Sequence, residues 1–290
     1  MWKSDLWKEY ELIDTSDGER LERWGDTILV RPDPQVIWKG QRASRLWNKY
    51  DARYIRSNKG GGAWDVKSLP KGMLDEGWTI SKGALVFRIR PTGFKHTGVF
   101  PEQAVNWEWM TEKIEGAGRP VSAINLFAYT GGATLAMAKA GASVCHVDAS
   151  KGIVAWAKEN AALSGLSDAP IRYIVDDCKK FLEREIRRGR KYDALVMDPP
   201  SYGRGPGGEV WKLEDGICEL LELAAGVMSD NPLFMLVNSY TTGLSASTVG
   251  YLLSLYTKRF GGKVTADEIG IPVTESGMVL PAGASARWER

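Results

Sequence analysis

Histidine and cysteine are scarce in this chain, with two and three copies in 290 residues. The cysteines (Cys145, Cys178, Cys218) are odd in number and form no Cys-x-x-Cys pair. That excludes a disulfide framework and a cysteine-based zinc site, and fits a reducing compartment. With only His96 and His146 to add, no metal site is expected. No stretch approaches the roughly 18 apolar residues of a membrane-spanning helix, and Met1–Tyr10 lacks an apolar signal core, so a cytoplasmic protein is expected. Internal repeats and low-complexity tracts are absent too. A net charge of +2 does not by itself require a polyanionic partner. What is present is ordinary for a globular chain: 43% apolar and 26% charged residues, enough for one large domain or one domain plus a small one. The unusual count is twelve tryptophans, most of them before residue 110. Trp marks stacking surfaces or interfaces, but core packing is its commoner use.

The chain changes character near residue 95. Before it, Tyr10–Thr15, Glu19–Trp24 and Thr27–Arg31 are short runs split by Ser16-Asp17-Gly18 and Gly25-Asp26, the pattern of a β-meander with tight turns. Leu85–Arg90 reads as a further strand stopped by Pro91. Residues 1–95 are therefore expected to form a small β-rich domain. From 96 to 290 predicted strands and helices alternate. The strands fall at Val121–Leu126, Val144–Val147, Ile171–Val175, Leu195–Met197 and Leu233–Val237. The helices fall at Glu102–Glu115, Ala133–Ala140, Gly152–Ser164, Lys179–Arg188, Glu214–Met228 and Ala246–Arg259. Repeated β-α units of this length imply a doubly wound, Rossmann-like parallel α/β sheet. Two last strands, near Val264–Ile269 and Met278–Leu280, fit a terminal antiparallel hairpin.

Ligands of open α/β sheets bind beyond the carboxyl ends of the strands, and four segments sit there. Phe127–Gly132 follows the first strand. Its Gly131-Gly132 pair lets backbone approach a ligand, and the helix start beyond favours an anionic group. The plainer alternative is an ordinary glycine-rich turn. Asp148 ends the second strand, where a carboxylate accepts from ribose hydroxyls; the alternative is a helix cap. Asp177 ends the third, placed to accept from an adenine amino group while the Cys178 amide donates to the ring. Asp176 competes for that role, and one of the two can serve as a cap. Asp198-Pro199-Pro200-Ser201-Tyr202 ends the fourth. Two prolines make a stiff loop without amide donors, which presents carbonyls beside a carboxylate. Such a loop can hold both hydrogens of an exocyclic amine, with Tyr202 stacking on a flat ring. A dehydrogenase reading fails here: Gly-x-Gly-x-x-Gly is missing after the first strand, and Asp-Pro-Pro has no role in it.

As a set, Asn125–Gly132, Asp148, Asp177 and Asp198–Tyr202, with the upstream His96–Gln103, resemble the class I S-adenosylmethionine (SAM) dependent methyltransferases. Within them the chain is most similar to the bacterial branch related to the 23S rRNA methyltransferases. The resemblance covers roughly residues 85–290. It implies a seven-stranded methyltransferase sheet, SAM as cofactor and RNA, chiefly rRNA, as substrate. It implies cofactor contacts at Phe100, Gln103, Phe127, Tyr129, Thr130, Gly131, Asp148 and Asp177, and target-side roles for Asp198, Pro199 and Pro200. Two departures matter. Asn125 replaces the acidic residue common at the start of the first motif, and no N-terminal RNA-binding module of the PUA type is evident. Methylation of cytosine C5 needs a cysteine nucleophile, yet Ser201 and Ser239 stand where it would lie. Nitrogen is the expected target. The alternative is a methyltransferase of a small molecule or protein, whose binding would lack the steep salt dependence of RNA. A non-catalytic RNA-binding protein on this scaffold would not need every cofactor position kept.

Residues 38–59 hold seven cations against the single acid Asp51. If helical from Arg42, Arg42, Arg45, Lys49, Arg53 and Arg56 would share an arc of about 80°. Trp47, Tyr50 and Tyr54 would form a neighbouring aromatic stripe. Interleaved cations and aromatics are a nucleic-acid signature, so Arg42, Arg45, Lys49 and Arg53 are the candidate RNA contacts; the alternative is a solvated face over a buried stripe. The oligomeric state is not legible.

Overall fold

A computed structural model describes residues 1–4, 7–57, 61–204, 210–241 and 243–290, with only the backbone of Arg204. Lys59 and Gly60 of the basic segment lie outside the described residues. The chain forms two compact units. One comprises Lys3–Ala104 with Gly270–Ala282; the other comprises Met1–Trp2, Val105–Ile269 and Gly283–Arg290.

After the two-residue β1 (Trp2–Lys3), the first unit opens with the meander β2 (Tyr10–Ser16), β3 (Glu19–Trp24) and β4 (Thr27–Pro32). The β2–β3 turn needs left-handed backbone at both Asp17 (φ 56°) and Gly18 (φ 78°), which an Asp-Gly pair supplies. Next, β5 (Ala52–Arg56) lies parallel to β4, and β6 (Gly62–Val66) antiparallel to β5. A single turn, α1 (Met73–Glu76), precedes the hairpin β7 (Trp78–Lys82) and β8 (Leu85–Ile89).

The helix considered from Arg42 does not form. The segment makes one 3-10 turn, Arg45–Asn48, and then enters β5. Asp14 dictates this: one of its carboxylate oxygens accepts from Ala43 N (2.8 Å), Ser44 N (3.0 Å) and the Trp47 indole (2.8 Å). Asp51 fixes the far end, accepting from Ile28 N at 2.7 Å. Trp47, Tyr50 and Tyr54 are buried, so the aromatic stripe is core.

A charged cluster is sealed beside that core. The Arg31 guanidinium holds both Glu22 oxygens at 2.6 and 2.7 Å, and Tyr10 Oη donates to the same carboxylate at 2.8 Å. Arg20 pairs with Asp33 at 2.7 Å. Burial alone would raise the Glu22 carboxyl, but Arg31 and Arg20 hold it below its ordinary range.

The second unit carries α2 (Ala104–Glu115), β9 (Ser122–Leu126), α3 (Gly132–Lys139), β10 (Ser143–Asp148), α4 (Lys151–Leu163), β11 (Ile171–Val175), α5 (Cys178–Arg187) and β12 (Ala194–Met197). A short hairpin follows, β13 (Tyr202–Arg204) and β14 (Val210–Lys212). Then come α6 (Leu213–Gly226), β15 (Phe234–Ser239), α7 (Ala246–Thr257) and the long strands β16 (Lys263–Pro272) and β17 (Val279–Glu289). The sheet runs β1-β16-β17-β15-β12-β9-β10-β11. Neighbours from β15 to β11 are parallel, and β17 is antiparallel to β15. This is the expected methyltransferase sheet, with the two-residue β1 added at its edge. The α2 helix and every α/β alternation appear where the residue pattern placed them.

A polar thread crosses this core. Asn125 donates to Thr134 Oγ1 (3.0 Å), which lies 2.9 Å from His146 Nδ1; all three side chains are buried. Burial pushes the His146 imidazole down to about 3, and Nε2 has no partner among the described residues. The imidazole therefore stays neutral while the unfolded chain takes up a proton near pH 6.5. Its contribution is fully present above about pH 6.5 and is lost progressively as pH falls toward the folded value. Between pH 7.5 and 5.5, denaturant titration should show a loss of about 1 kcal/mol from this residue. His146→Gln should shrink that loss; an equal loss in the variant would show that His146 does not set it.

Candidate active site

Parallel pairing brings four segments to one sheet edge. Leu126 is level with Val147 on one side and Met197 on the other, and Asp148 is level with Val175. Hence Phe127, Asp148, Asp176–Asp177 and Asp198 all leave the carboxyl ends of adjacent strands. The chain moves from β9 to β10 on one side and returns with β12 on the other, a switch point where such sheets bind ligands.

The turn after β9 is contorted. Phe127 (φ 54°), Tyr129 (φ 50°) and Gly131 (φ 93°) all lie in left-handed backbone. Such strain at non-glycine residues persists only where the surroundings enforce it. Here Phe127 N donates to Cys178 Sγ (3.2 Å), Ala128 N to Val147 O (3.0 Å) and Tyr129 N to Asp148 Oδ2 (3.0 Å). The buried Asn160 amide donates to Thr130 O at 3.0 Å. Gly132 has no room for a side chain: a Cβ would stand 2.4 Å from the Trp107 ring. The amides of Phe127, Ala128 and Tyr129 are thus spent on the protein. The first amides of α3, as at any helix start, lack intrahelical acceptors.

Asp148 is half-buried and not a helix cap. Ser150 caps α4, and Asp148 Oδ1 accepts from Ser150 N at 2.9 Å. With one amide on each oxygen, the carboxylate is fixed in orientation and keeps lone pairs for hydroxyl donors. At the β11 end the capping role falls to Asp177, whose Oδ1 accepts from Lys180 N at 2.9 Å. Asp176 accepts from Asp177 N (2.9 Å) and pairs with Arg184. Cys178 is buried, and burial raises its thiol far above the ordinary range. Carboxylates at two adjacent strand ends, a strained glycine turn and a helix start form a donor and acceptor set that suits a nucleoside bearing an amino acid. Phe100 and Gln103 belong to the first unit. Phe100 precedes the turn Pro101–Gln103 with its ring 5.4 Å from His96, and Gln103 is buried.

The Asp198 loop is braced by a residue the sequence reading missed. The Trp211 indole donates to Pro200 O at 2.7 Å, and Leu213 N donates to Ser201 O at 3.1 Å. Two of the carbonyls expected to face a substrate are therefore engaged, whereas Pro199 O has no partner among the described residues. Trp211 sits on β14 and fills the space beside Gly216, where a Cβ would stand 2.2 Å from its ring. The signal was available: a glycine inside an amphipathic helix, five residues beyond a Trp. Asp198 is half-buried, Pro199 buried, Pro200 exposed and Tyr202 half exposed (52%). Cys145 and Cys178 are buried and Cys218 lies exposed on α6; none belongs to this loop. Burial pushes the Cys145 thiol up to about 11. Ser239 Oγ accepts from Thr241 N at 3.2 Å. No cluster of three metal-binding side chains exists among the described residues, and no described helix is long and apolar enough to cross a membrane.

Comparison with known proteins gives the family. The family model of S-adenosylmethionine-dependent methyltransferases matches residues 63–216, and the chain belongs to that family. Its cofactor is SAM and it is an enzyme of methyl transfer. The crystal structure of the SAM-dependent methyltransferase from Agrobacterium tumefaciens is similar over 99% of this chain and 92% of that one, with 39% identity and a TM-score of 0.91. A methyltransferase complexed with SAH shares the fold (TM-score 0.70, 17% identity, 97% of this chain and 75% of that one). The ribosomal RNA large subunit methyltransferase K/L of Shewanella frigidimarina is 33% identical over 147 residues, 50% of this chain and 20% of that protein. Its counterpart from Colwellia psychrerythraea is 28% identical over 180 residues, 62% of this chain and 22% of that protein. The chain thus spans about a fifth of the length of these curated relatives.

Trp211→Phe keeps an aromatic ring and removes the indole donor. It should cost about 0.5–1.5 kcal/mol, and hydrogen–deuterium exchange should speed up in peptides covering residues 198–213. Unchanged exchange there would show that the indole does not brace the loop.

Proposed function

We propose that this chain methylates a base nitrogen of RNA, with ribosomal RNA as the substrate. The observation that carries the reading is the Asp198-Pro199-Pro200 loop, with the Asp198 carboxylate beside a Pro199 carbonyl that nothing among the described residues claims. The curated relatives' name, ribosomal RNA large subunit methyltransferase K/L, supports the substrate. When bound, SAM supplies a methyl group activated by its sulfonium. The chain's own part is to bind and orient. Asp148 accepts from the ribose hydroxyls, Asp177, through the oxygen that does not cap α5, and the Cys178 amide meet the adenine, and Tyr129, Thr130 and Gly131 lead the backbone past the methionine end. Phe127 packs beside them. Phe100 and Gln103 join the set on the strength of the resemblance alone. On the target side, the Asp198 carboxylate and Pro199 carbonyl take the two hydrogens of an exocyclic amine, which leaves its nitrogen electron-rich without a charged base. The braced Pro200 holds them in place, and Tyr202 stacks on the base ring. No cysteine takes part, so no covalent enzyme–RNA intermediate forms.

The first unit presents RNA contacts. Arg45 and Lys49 are exposed. Arg42 divides its charge between Asp17 (3.1 Å) and Glu19 (2.9 Å), and Arg53 pairs with Glu19 (2.8 Å), so these two contribute less. Three free thiols, one of them exposed, support work in the cytoplasm.

Two measurements test this. Asp148→Ala should weaken SAM binding in calorimetry by about 1.5–3 kcal/mol, the loss of hydrogen bonds to a charged group; unchanged affinity in a folded variant removes the ribose assignment. Tritiated SAM should label RNA from a strain lacking this gene, and nucleoside mass spectrometry should find an N-methylated base. Asp198→Ala should abolish that transfer while SAM binding survives. A 5-methylcytidine product, or an adduct stable in SDS with 5-fluorocytidine RNA, would overturn the nitrogen mechanism.

A further inference from the structure

The loop Thr92–Thr97 of the first unit is pinned from several sides. Trp64 donates to Thr92 O (2.8 Å), Tyr54 Oη to Gly93 O (2.9 Å) and Arg31 to Lys95 O (3.0 Å). Thr92 N donates to His96 O (3.3 Å), and Arg90 N to Thr97 O (3.0 Å). These bonds hold the backbone, and the loop displays Phe94 while Lys95 and His96 are half-buried. Phe94 is 66% exposed, an unusual cost for a phenyl ring on a fixed loop. Beside it stand Lys95 and His96, with Arg56 at the end of β5.

These cations have no counter-charge of their own. Of the nearby acids, Glu22 is held by Arg31 and Asp33 by Arg20, and Glu102 is buried, which raises its carboxyl and disfavours its charged form. Neither Lys95 nor Arg56 has an ion-pair partner among the described residues. Burial, then Arg20, depress Lys95 to about 8; Asp33 opposes them, and Arg31 and Arg56 add smaller depressions. Burial, then Arg31, Lys95, Arg20 and Arg56, depress His96 to about 4. The protein maintains a positive field here, which is costly unless an anion fills it. An exposed aromatic ring near cations without ion-pair partners is how single-stranded nucleic acid is held without base-edge readout.

We propose that Phe94, Lys95 and Arg56 form a contact for single-stranded RNA, with the two cations on backbone phosphates and the Phe94 ring stacked on a base. It rests on the RNA reading above and names where on the first unit the strand lies. The surface is distinct from the 3-10 turn that carries Arg45 and Lys49.

Fluorescence anisotropy with a labelled single-stranded ribosomal RNA fragment, titrated at several salt concentrations, tests it. Phe94→Ala should weaken binding roughly 5- to 150-fold, the loss of one stacked base. Lys95→Gln and Arg56→Gln should each lower the slope of log affinity against log salt by about 0.7. Circular dichroism melts should match wild type. If wild type binds the fragment and all three folded variants bind equally well with the same slope, this surface is not the contact. Loss in Arg45→Gln/Lys49→Gln alone would then place it on the 3-10 turn. If wild type shows no salt-dependent binding, the RNA reading itself falls.

Discussion

The candidate site depends on one register: β9 lies parallel between β12 and β10, with Leu126 level with both Met197 and Val147. That register brings the Asp148 carboxylate to the turn after β9, where Tyr129 N–H meets it at 3.0 Å. A slip by one residue would turn every side chain of the strand to the other face of the sheet. It would also strand the left-handed Phe127 and Tyr129 without the bonds that hold them. Site and core are therefore specified together. The residues that shape the turn, Cys178, Asn160 and Trp107, come from three different helices.

Buried polar groups reinforce this specificity. Asn125, Thr134 and His146 link β9, α3 and β10. A second network links α2 to the other side of the sheet. The Asn106 amide donates to Asn238 (3.1 Å) and Ser285 (2.9 Å), and Arg287 donates back to Asn106 at 2.6 Å. Burial depresses Arg287 to about 10, opposed by Glu289, and its guanidinium lies 3.9 Å from the Trp2 ring. Satisfied networks select one arrangement of helix on sheet, and the Asn106 network is of that kind, whereas His146 Nε2 leaves the first one incomplete. Asn125, an acidic position in similar proteins, fits this account: it faces Thr134 inside the core, where an ionised carboxylate would be buried without a cation.

How much of this was legible depends on where each constraint resides. The strand ends and the α/β alternation were, because each is a local pattern: an apolar run, then Gly, Asp or Pro. The β2–β4 meander was legible for the same reason. The segment 42–56 was not, because its conformation is set from a distance, by Asp14 and Asp51, whose bonds outweigh helical spacing. The Trp211 brace was legible only through Gly216, since the glycine- and proline-rich stretch before Trp211 reads as loop and gives no sign that a strand pair closes it. Asp176 and Asp177 are chemically alike in sequence; only backbone geometry assigns the cap to Asp177.

The tryptophans make the same point about the first unit. A small β-rich unit has little interior to bury, so each side chain must do more. The indoles of Trp7, Trp38, Trp64 and Trp78 donate to the backbone carbonyls of Ser81, Thr15, Thr92 and Trp24. Each ties together segments far apart in sequence, adding a directional bond to apolar area. Trp24 instead lies under the Arg31 guanidinium, 5.0 Å from its ring centroid. Tryptophan abundance here reflects stapling of short strands, not a stacking platform. The most exposed ring among the described residues of this unit is a phenylalanine, Phe94, which has no polar atom to anchor it to the fold. On this unit the residue types that look most like nucleic-acid binders are consumed by structure, and the positions available to a strand are those the scaffold exposes without using.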